Sequence, residues 1–361
     1  MDLDVNLPIN NVSFGQVSVA ILKELFKRNF NLNIFPIGNQ VDLSSQKEDK
    51  LFFDWIKYSI EKAYETYSRK NKIFKLWHIN GSLESFAEKQ ILFSFYELDS
   101  PTNYELNIVK NNENVIFSSN YACEVFKNNG CNNVKYIPLF YDSDNFHIKN
   151  KNYFNNERIT FNLVGKLEKR KNHKLIIQSW LEKYGNNGKY FLQCAIYNPF
   201  IKPEDQQNLI NSILEGKRYF NISFFPYIQT NEAYNDFLNS ADIIIGMSGG
   251  EGWGLPEFHS VALGKHAVIL NAHSYKDWAN KDNSVLVEPS SKIEAYDNLF
   301  FHKGNKFNQG NIFTFTKEDF IEGCEMAINR FNSNKINTNG IKLQEKFTIN
   351  NTVDELLQLF K

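Results

Sequence analysis

Two hydrophobic periods alternate along the chain. Leu3–Leu7 is strand-like, and beyond Gly15 the apolar residues Val17, Ala20, Ile21, Leu22, Leu25 and Phe26 recur at helical spacing. The same alternation predicts strands over 31–37, 73–79, 91–96, 115–118 and 134–139, with helices over 50–70 and 119–128. Residues 142–157 are polar and aperiodic, the pattern of a linker. A second series follows, with strands over 158–164, 190–197, 222–225, 241–247 and 267–270 and helices over 173–183, 203–215, 232–239 and 255–263. Ala241–Met247 is almost wholly apolar, as a strand buried on both faces of a parallel sheet must be, and Pro256 suits the first turn of the helix after it. Strand, helix, strand twice over predicts two doubly wound α/β domains, 1–148 and 158–340. Ligand is then expected between the carboxyl ends of their strands.

Composition removes several alternatives. A chain of 361 residues exceeds what one core usually serves, and 42% hydrophobic with 22% charged residues is ordinary for a folded globular protein. The 40 Lys and Arg against 41 Asp and Glu leave a net charge of -1, so no overall basic field draws the chain to nucleic acid. No apolar stretch approaches the length of a membrane span, and the first residues are acidic where a secretion signal is basic. A cytoplasmic location is expected. Cys123, Cys131, Cys194 and Cys324 form no C-x-x-C pair and are too sparse for a disulfide framework, so they read as reduced thiols.

The segment richest in chemistry is ADIIIGMSGGEGWGLPEFHSVALGKHAVIL, residues 241–270. A buried strand runs into Ser248, Gly249, Gly250, Glu251, Gly252, Trp253 and Gly254, and a helix opens at Leu255. Free backbone N–H groups and the positive end of the helix dipole make such a turn an anion site, with phosphate or diphosphate as its natural ligand. Glu251 is out of place beside phosphate unless it faces neutral hydroxyls. A second candidate loop, Gly165, Lys166, Leu167, Glu168, Lys169, Arg170, Lys171, Asn172, follows the strand over 158–164. Alone it would read as a solvated basic loop.

EGWGLPEFHSVALGKHAVI resembles the E-G-F-G-L-P-x-x-E-A-x-A-x-G-x-P-V-I signature of retaining GT-B glycosyltransferases of family 4. The loop from Gly165 resembles that family's G-R-L-x-x-x-K-G. The resemblance implies the GT-B fold, two Rossmann-like domains facing each other across a cleft, with the last helix, over 344–360, crossing back so that 341–361 belongs with the first domain. It also implies that Glu251 holds hydroxyls of a donor sugar, that Gly250, Gly252, Trp253, Gly254 and Leu255 present amides to sugar and diphosphate, and that Lys166 and Lys171 neutralise the diphosphate beside Gly165. His259 stands where the family has a second Glu for the ribose, a role an imidazole can share by hydrogen bonding. His266 stands where the family often has Pro before V-I, and reads as structural. The stretch FYELDSPTNYELNIVKNNENVIFSSNYACEVFKNNGCNNVKYIPLFYD is similar to a looser family pattern, in which Glu97, Asp99, Ser118, Ser119, Pro138 and Asp142 occupy matching places and Phe140 replaces a glycine.

Gly15 before the first helix is the counterpart of a loop that faces donor phosphate and acceptor. Glu97, Asp99 and His78 follow strands and are candidates for orienting the acceptor or the reacting sugar, with surface carboxylates and a structural histidine as the plainer readings. His273, Ser274 and Tyr275 follow the strand over 267–270 and are candidates for reaching the donor. The resemblance implies a metal-independent hexosyltransferase without a cofactor, with a UDP- or GDP-sugar as substrate, a surface glycan or lipopolysaccharide as acceptor, and at most peripheral membrane association. The rivals are a transferase acting on modified DNA bases, in which nucleic acid enters only as acceptor, a nucleotide-sugar epimerase, and a non-catalytic nucleotide-sugar-binding protein.

Overall fold

The computed structural model describes residues 2–38, 41–150 and 158–361. Its first half runs β1 (Asp2–Pro8), α1 (Ser13–Lys27), β2 (Asn31–Ile37), α2 (Lys50–Thr66), β3 (Lys72–Leu76), β4 (Lys89–Ser94), α3 (Asn103–Lys110), β5 (Asn114–Phe117), α4 (Asn120–Asn128) and β6 (Val134–Tyr136). The six strands are parallel, in the order β2-β1-β3-β4-β5-β6. The chain leaves β1 to one side for β2 and returns to its other side for β3. The sheet therefore reverses direction between β1 and β3, which opens a crevice at their carboxyl ends.

The second half repeats the plan with β7 (Ile159–Val164), α5 (His173–Tyr184), β8 (Tyr190–Ala195), α6 (Pro203–Ile213), β9 (Ile222–Phe224), α7 (Asn231–Asn239), β10 (Ile243–Gly246), α8 (Leu255–Ala262), β11 (His266–Leu270) and β12 (Val285–Val287). Its order, β12-β11-β10-β7-β8-β9, places the reversal between β7 and β10. All of β10 is buried, as its apolar run requires. The two loops that carry the sequence motifs leave these two neighbouring strands, so the topology itself brings Lys171 and Glu251 together.

Beyond β12 the chain forms an antiparallel hairpin of β13 (Ser291–Glu294) and β14 (Asn311–Thr314), then α9 (Lys317–Ser333), α10 (Thr338–Ile341), α11 (Leu343–Lys346) and α12 (Ile349–Gln358). The last helix packs on α1 and is held there by Arg28 to Asp354 at 2.5 Å, by Tyr141 N–H to Phe347 O at 2.8 Å and by the Thr352 hydroxyl to Pro138 O at 3.1 Å. The crossing back of the terminal helix is thus present.

Several elements depart from the periodic pattern. The strands expected over 73–79 and 91–96 stop at Leu76 and Ser94. α3 is short and is opened by a capping box between Thr102 and Glu105. Residues 151–157 of the expected linker lie outside the described residues, while its start is built into the protein. Asp142 accepts from Asn145, and Phe146 is buried in the core.

Candidate active site at the strand reversal

The loop after β7 is shaped by two residues with positive φ. Gly165 has φ 112°, and a side chain there would also strike Lys171, which packs across it. Asn172, with φ 56°, ends the single 3-10 turn Lys169–Lys171; Asn tolerates this left-handed conformation better than most residues. The turn sends Lys169 outward, its ammonium donating to Glu294 O at 2.7 Å and Tyr296 O at 3.0 Å. Arg170 and Lys171 are sent inward and are buried.

The glycine turn meets them. Gly249 N–H donates to Arg170 O at 2.8 Å and Gly249 O accepts from Phe313 N–H at 2.8 Å. The Arg170 guanidinium donates to Gly250 O. From the first half, the Ser118 hydroxyl donates to Gly252 O at 2.7 Å, and Phe95 presses so close to Gly252 that a Cβ there would have no room. His273, buried, donates from Nε2 to Ser248 O at 2.8 Å and so fixes the start of the turn. Burial lowers its pKa to about 4, so it stays neutral. Gly254, at φ 79°, leads into α8 without a side-chain cap.

The charges converge on Glu251. Its carboxylate is ion-paired with Lys171 and lies 3.1 Å from Arg170, whose guanidinium is also 3.4 Å from Glu97 and 2.8 Å from Glu168. Burial alone would raise the Glu251 pKa, but Lys171 and Arg170 outweigh it and hold the carboxyl well below the usual range. Glu257, buried behind the turn, is shifted the other way, by burial above all and against the pull of Lys171. Burial also raises Glu97, with Arg170 opposing. Glu251, Glu97 and Glu168 thus share two buried cations, Arg170 and Lys171, and of the Arg170 nitrogens Nε alone finds no acceptor among the described residues.

The expected site residues fall into groups. Glu251, Lys171, Glu97, Gly165, Gly250 and Gly252 come together, as does Arg170, which sequence reasoning passed over in favour of Lys166. Within KLEKRKN nothing but the 3-10 geometry decides which cations face inward. Lys166 stands apart, its ammonium 5.2 Å from the Phe200 ring centre and 4.8 Å from that of Phe300. Asp99 is engaged elsewhere: it pairs with Lys292 at 2.8 Å and accepts from Asn311 N–H at 2.8 Å, clasping the β13–β14 hairpin to the first half. His78 is exposed at its edge and lies tilted against Phe14, with ring centres 4.4 Å apart; desolvation, with Lys166 nearby, lowers its pKa to about 4. Gly15 lies within α1, against the carbonyl of Asn10. The Trp253 ring turns into an aromatic core with Phe258 and Phe347. Tyr275 packs against Gly254.

His259, on the buried face of α8, stacks on Phe146 with ring centres 4.1 Å apart, and its Nε2 accepts from Asp142 N–H at 3.4 Å. Burial lowers its pKa to about 3. His259 and Leu255 border a cavity of 240 Å³ between the halves, whose walls include Ser13, Gln16, Tyr227, Tyr234 and Pro256. His266 donates from Nε2 to Asn334 O, 2.7 Å away and remote from the cluster.

No known sequence family matches the chain, and no curated protein sequence does. Solved structures match throughout. Sucrose-phosphate synthase from Thermosynechococcus elongatus shares 12% identity at a TM-score of 0.70, over 100% of this chain and 98% of its own. A glycosyltransferase from Rickettsia africae shares 13% at 0.70, over 100% and 97%. Anabaena HepE, solved with UDP-glucose, shares 11% at 0.67, over 99% of each chain. The architecture is that of the GT-B glycosyltransferases. No helix among the described residues is long and apolar enough to cross a membrane.

Proposed function

We propose that this chain is a retaining, metal-independent glycosyltransferase of family 4 that moves a hexose from a UDP- or GDP-sugar to a hydroxyl acceptor in the synthesis of a surface glycan or lipopolysaccharide. The observation that carries the reading is the Glu251 carboxylate held by Lys171 and Arg170 at the β7–β10 reversal, beside the uncapped start of α8. A carboxylate in an anion site implies a ligand with both hydroxyls and phosphates. Glu251 takes the sugar hydroxyls, and the amides leading into α8, with Lys171 and Arg170, take the diphosphate.

The cations matter most as the glycosidic bond breaks, when negative charge grows on the departing phosphate oxygen. Arg170 offers a planar fork and Lys171 a point charge, and both are fixed before the reaction starts, so little reorganisation is needed. The acceptor hydroxyl attacks from the face the diphosphate leaves, and its proton passes to the leaving phosphate. The nucleoside takes the 240 Å³ cavity beside His259, one helical turn along α8 from the glycine turn. The donor reading thus belongs to the second half, and the acceptor reading to the first.

A thermal-shift panel of UDP- and GDP-sugars tests the donor, since a ligand at 100 times its Kd adds about 2.7 kcal/mol to native stability. One nucleotide should raise the melting temperature of the wild type, and Glu251→Gln should keep the nucleotide response while donor turnover falls by about 100-fold or more. No shift with any nucleotide sugar at millimolar concentration, or full turnover in Glu251→Gln, overturns the reading.

A further inference from the structure

The first sheet has its own reversal, between β1 and β3, and the cluster around Glu251 leaves it unused. A cavity of 540 Å³ opens there, at the carboxyl ends of β1, β2 and β3, with Asn6, Pro36, Lys75, Trp77, Glu84 and Phe86 in its walls. Its floor is polar where a sheet interior is normally apolar. Phe35, Asn6 and Lys75 stand side by side on the three strands, and Asn6 and Lys75 are 4% and 3% exposed.

Lys75 is an unusual residue for such a place. Its ammonium donates to Glu84 O and, at 3.4 Å, to Gly81 O, and these are carbonyl dipoles that carry no full charge. Among the described residues no carboxylate lies within ion-pair distance of it, and burial, only partly offset by the more distant Glu84 charge, lowers its pKa. A buried cation held by dipoles alone retains an unmet attraction for an anion. Asn6 is anchored through its Nδ2, which donates to Phe35 O at 2.8 Å, and no described residue donates to its Oδ1. The half-buried Trp77 brings an indole N–H beside Gly81 that has no acceptor among the described residues, together with an aromatic face at the rim. A cation, an amide acceptor, an indole donor and an aromatic face together suit a sugar ring that carries an acid: hydroxyls for the amide and indole, C–H faces for the ring, an anionic group for the ammonium.

Two aromatic rings, Phe14 and Phe95, separate the cavity's Trp77 from the glycine turn. Trp77 lies 5.9 Å from Phe14, Phe14 stacks on Phe95 at 4.2 Å, and Phe95 touches Gly252. We propose that this cavity is a subsite for an acidic sugar, one bearing a carboxylate or a phosphate, with Lys75 as its charge partner. Its assignment to the acceptor rests on the glycosyl-transfer reading; the binding itself does not.

Isothermal titration with methyl glucuronide, glucose 6-phosphate and methyl glucoside tests it on the intact protein. One or both acidic sugars should bind at least about tenfold more tightly than the neutral one, and the stronger of the two names the anionic group. Lys75→Met should abolish that preference, and Trp77→Ala, at the rim, should weaken all binding while the melting temperature changes little. Glu251→Gln should leave these affinities unchanged. Equal affinity for the acidic and neutral sugars overturns the proposal, as does an acidic preference that survives in Lys75→Met. If Lys75 serves only to tie down the loop from Trp77 to Glu88, Lys75→Met lowers the melting temperature and leaves the affinities of both classes as they were, which also overturns it. Failure here with a nucleotide response intact removes the subsite alone; a missing nucleotide response with acidic-sugar binding intact removes the transferase reading alone.

Discussion

The two strand reversals face the same problem, buried charge, and solve it differently. Between β7 and β10, two cations and three carboxylates are interlocked, with Arg170 touching Glu251, Glu97 and Glu168. Between β1 and β3, Lys75 stands among carbonyls. In the first arrangement every cation is paired with carboxylates of the protein itself, suited to holding charge in place while it shifts during a reaction. The second keeps an unspent charge, suited to attracting a ligand. The difference teaches that a shared strand topology fixes where a site lies, while the local pairing of charges decides what kind of site it is.

The sharpest way to break this comparison is at Arg170. Arg170→Lys keeps the charge but cannot reach three carboxylates at once. Transfer should fall by about 10- to 100-fold, with the melting temperature reduced by several degrees as Glu97 and Glu168 lose a partner. Steady-state kinetics beside a melting curve measure both. Turnover within a factor of two of wild type would mean that Lys171 alone carries the site and that the interlocked network is only structural.

The two regions were also unequally legible. The glycine turn was plain because its residues are contiguous and their chemistry is local: a strand, four glycines among seven residues, a carboxylate and a helix start at Leu255. The partnership of Glu251 with Lys171 followed from two motifs that the fold places on adjacent strands. Arg170 was hidden because four cations crowd positions 166–171, and only a one-turn 3-10 helix ended by Asn172 selects two of them. Asn6 and Lys75 left no local signal at all, since each is a single polar residue between apolar neighbours and they meet only through the β1–β3 register. Asp99 looked like a cleft carboxylate because its partners, Lys292 and Asn311, belong to a hairpin whose weak periodicity concealed it. Phe146 was one apolar residue in a polar run, and nothing before the structure linked it to His259.

A smaller effect separates the carboxyls within the interlocked region. The Glu251 pKa is depressed, so its stabilisation is present above the unfolded carboxylate range and is lost only as acid reaches the folded value. Glu257 is raised, so the native state binds its proton more tightly and loses stability as pH climbs from the unfolded range toward the folded value. Glu257→Gln, which resembles the protonated form, should therefore melt a few degrees higher than wild type at pH 8 and lose that advantage near pH 4. Melting curves across that range decide it, and an advantage that is constant or reversed would place the Glu257 carboxylate in a paired, ionised state instead.

The smallest effect belongs to Lys166, the cation outside the cluster. Its ammonium lies over the rings of Phe200 and Phe300 and makes no ion pair with Glu251, so its packing is worth about 0.5–1 kcal/mol. Lys166→Ala should leave kcat/KM within about threefold of wild type, since a charge displaced from the breaking bond stabilises ground state and transition state nearly alike. Lys171→Ala, by contrast, removes the ion pair at the centre and should cost about 100-fold or more. If the two alanine variants prove equally damaging, the inward pair is not Arg170 and Lys171 during catalysis: the loop from Gly165 must then rearrange to bring Lys166 onto the diphosphate, and the contrast drawn between the two reversals would have to be given up.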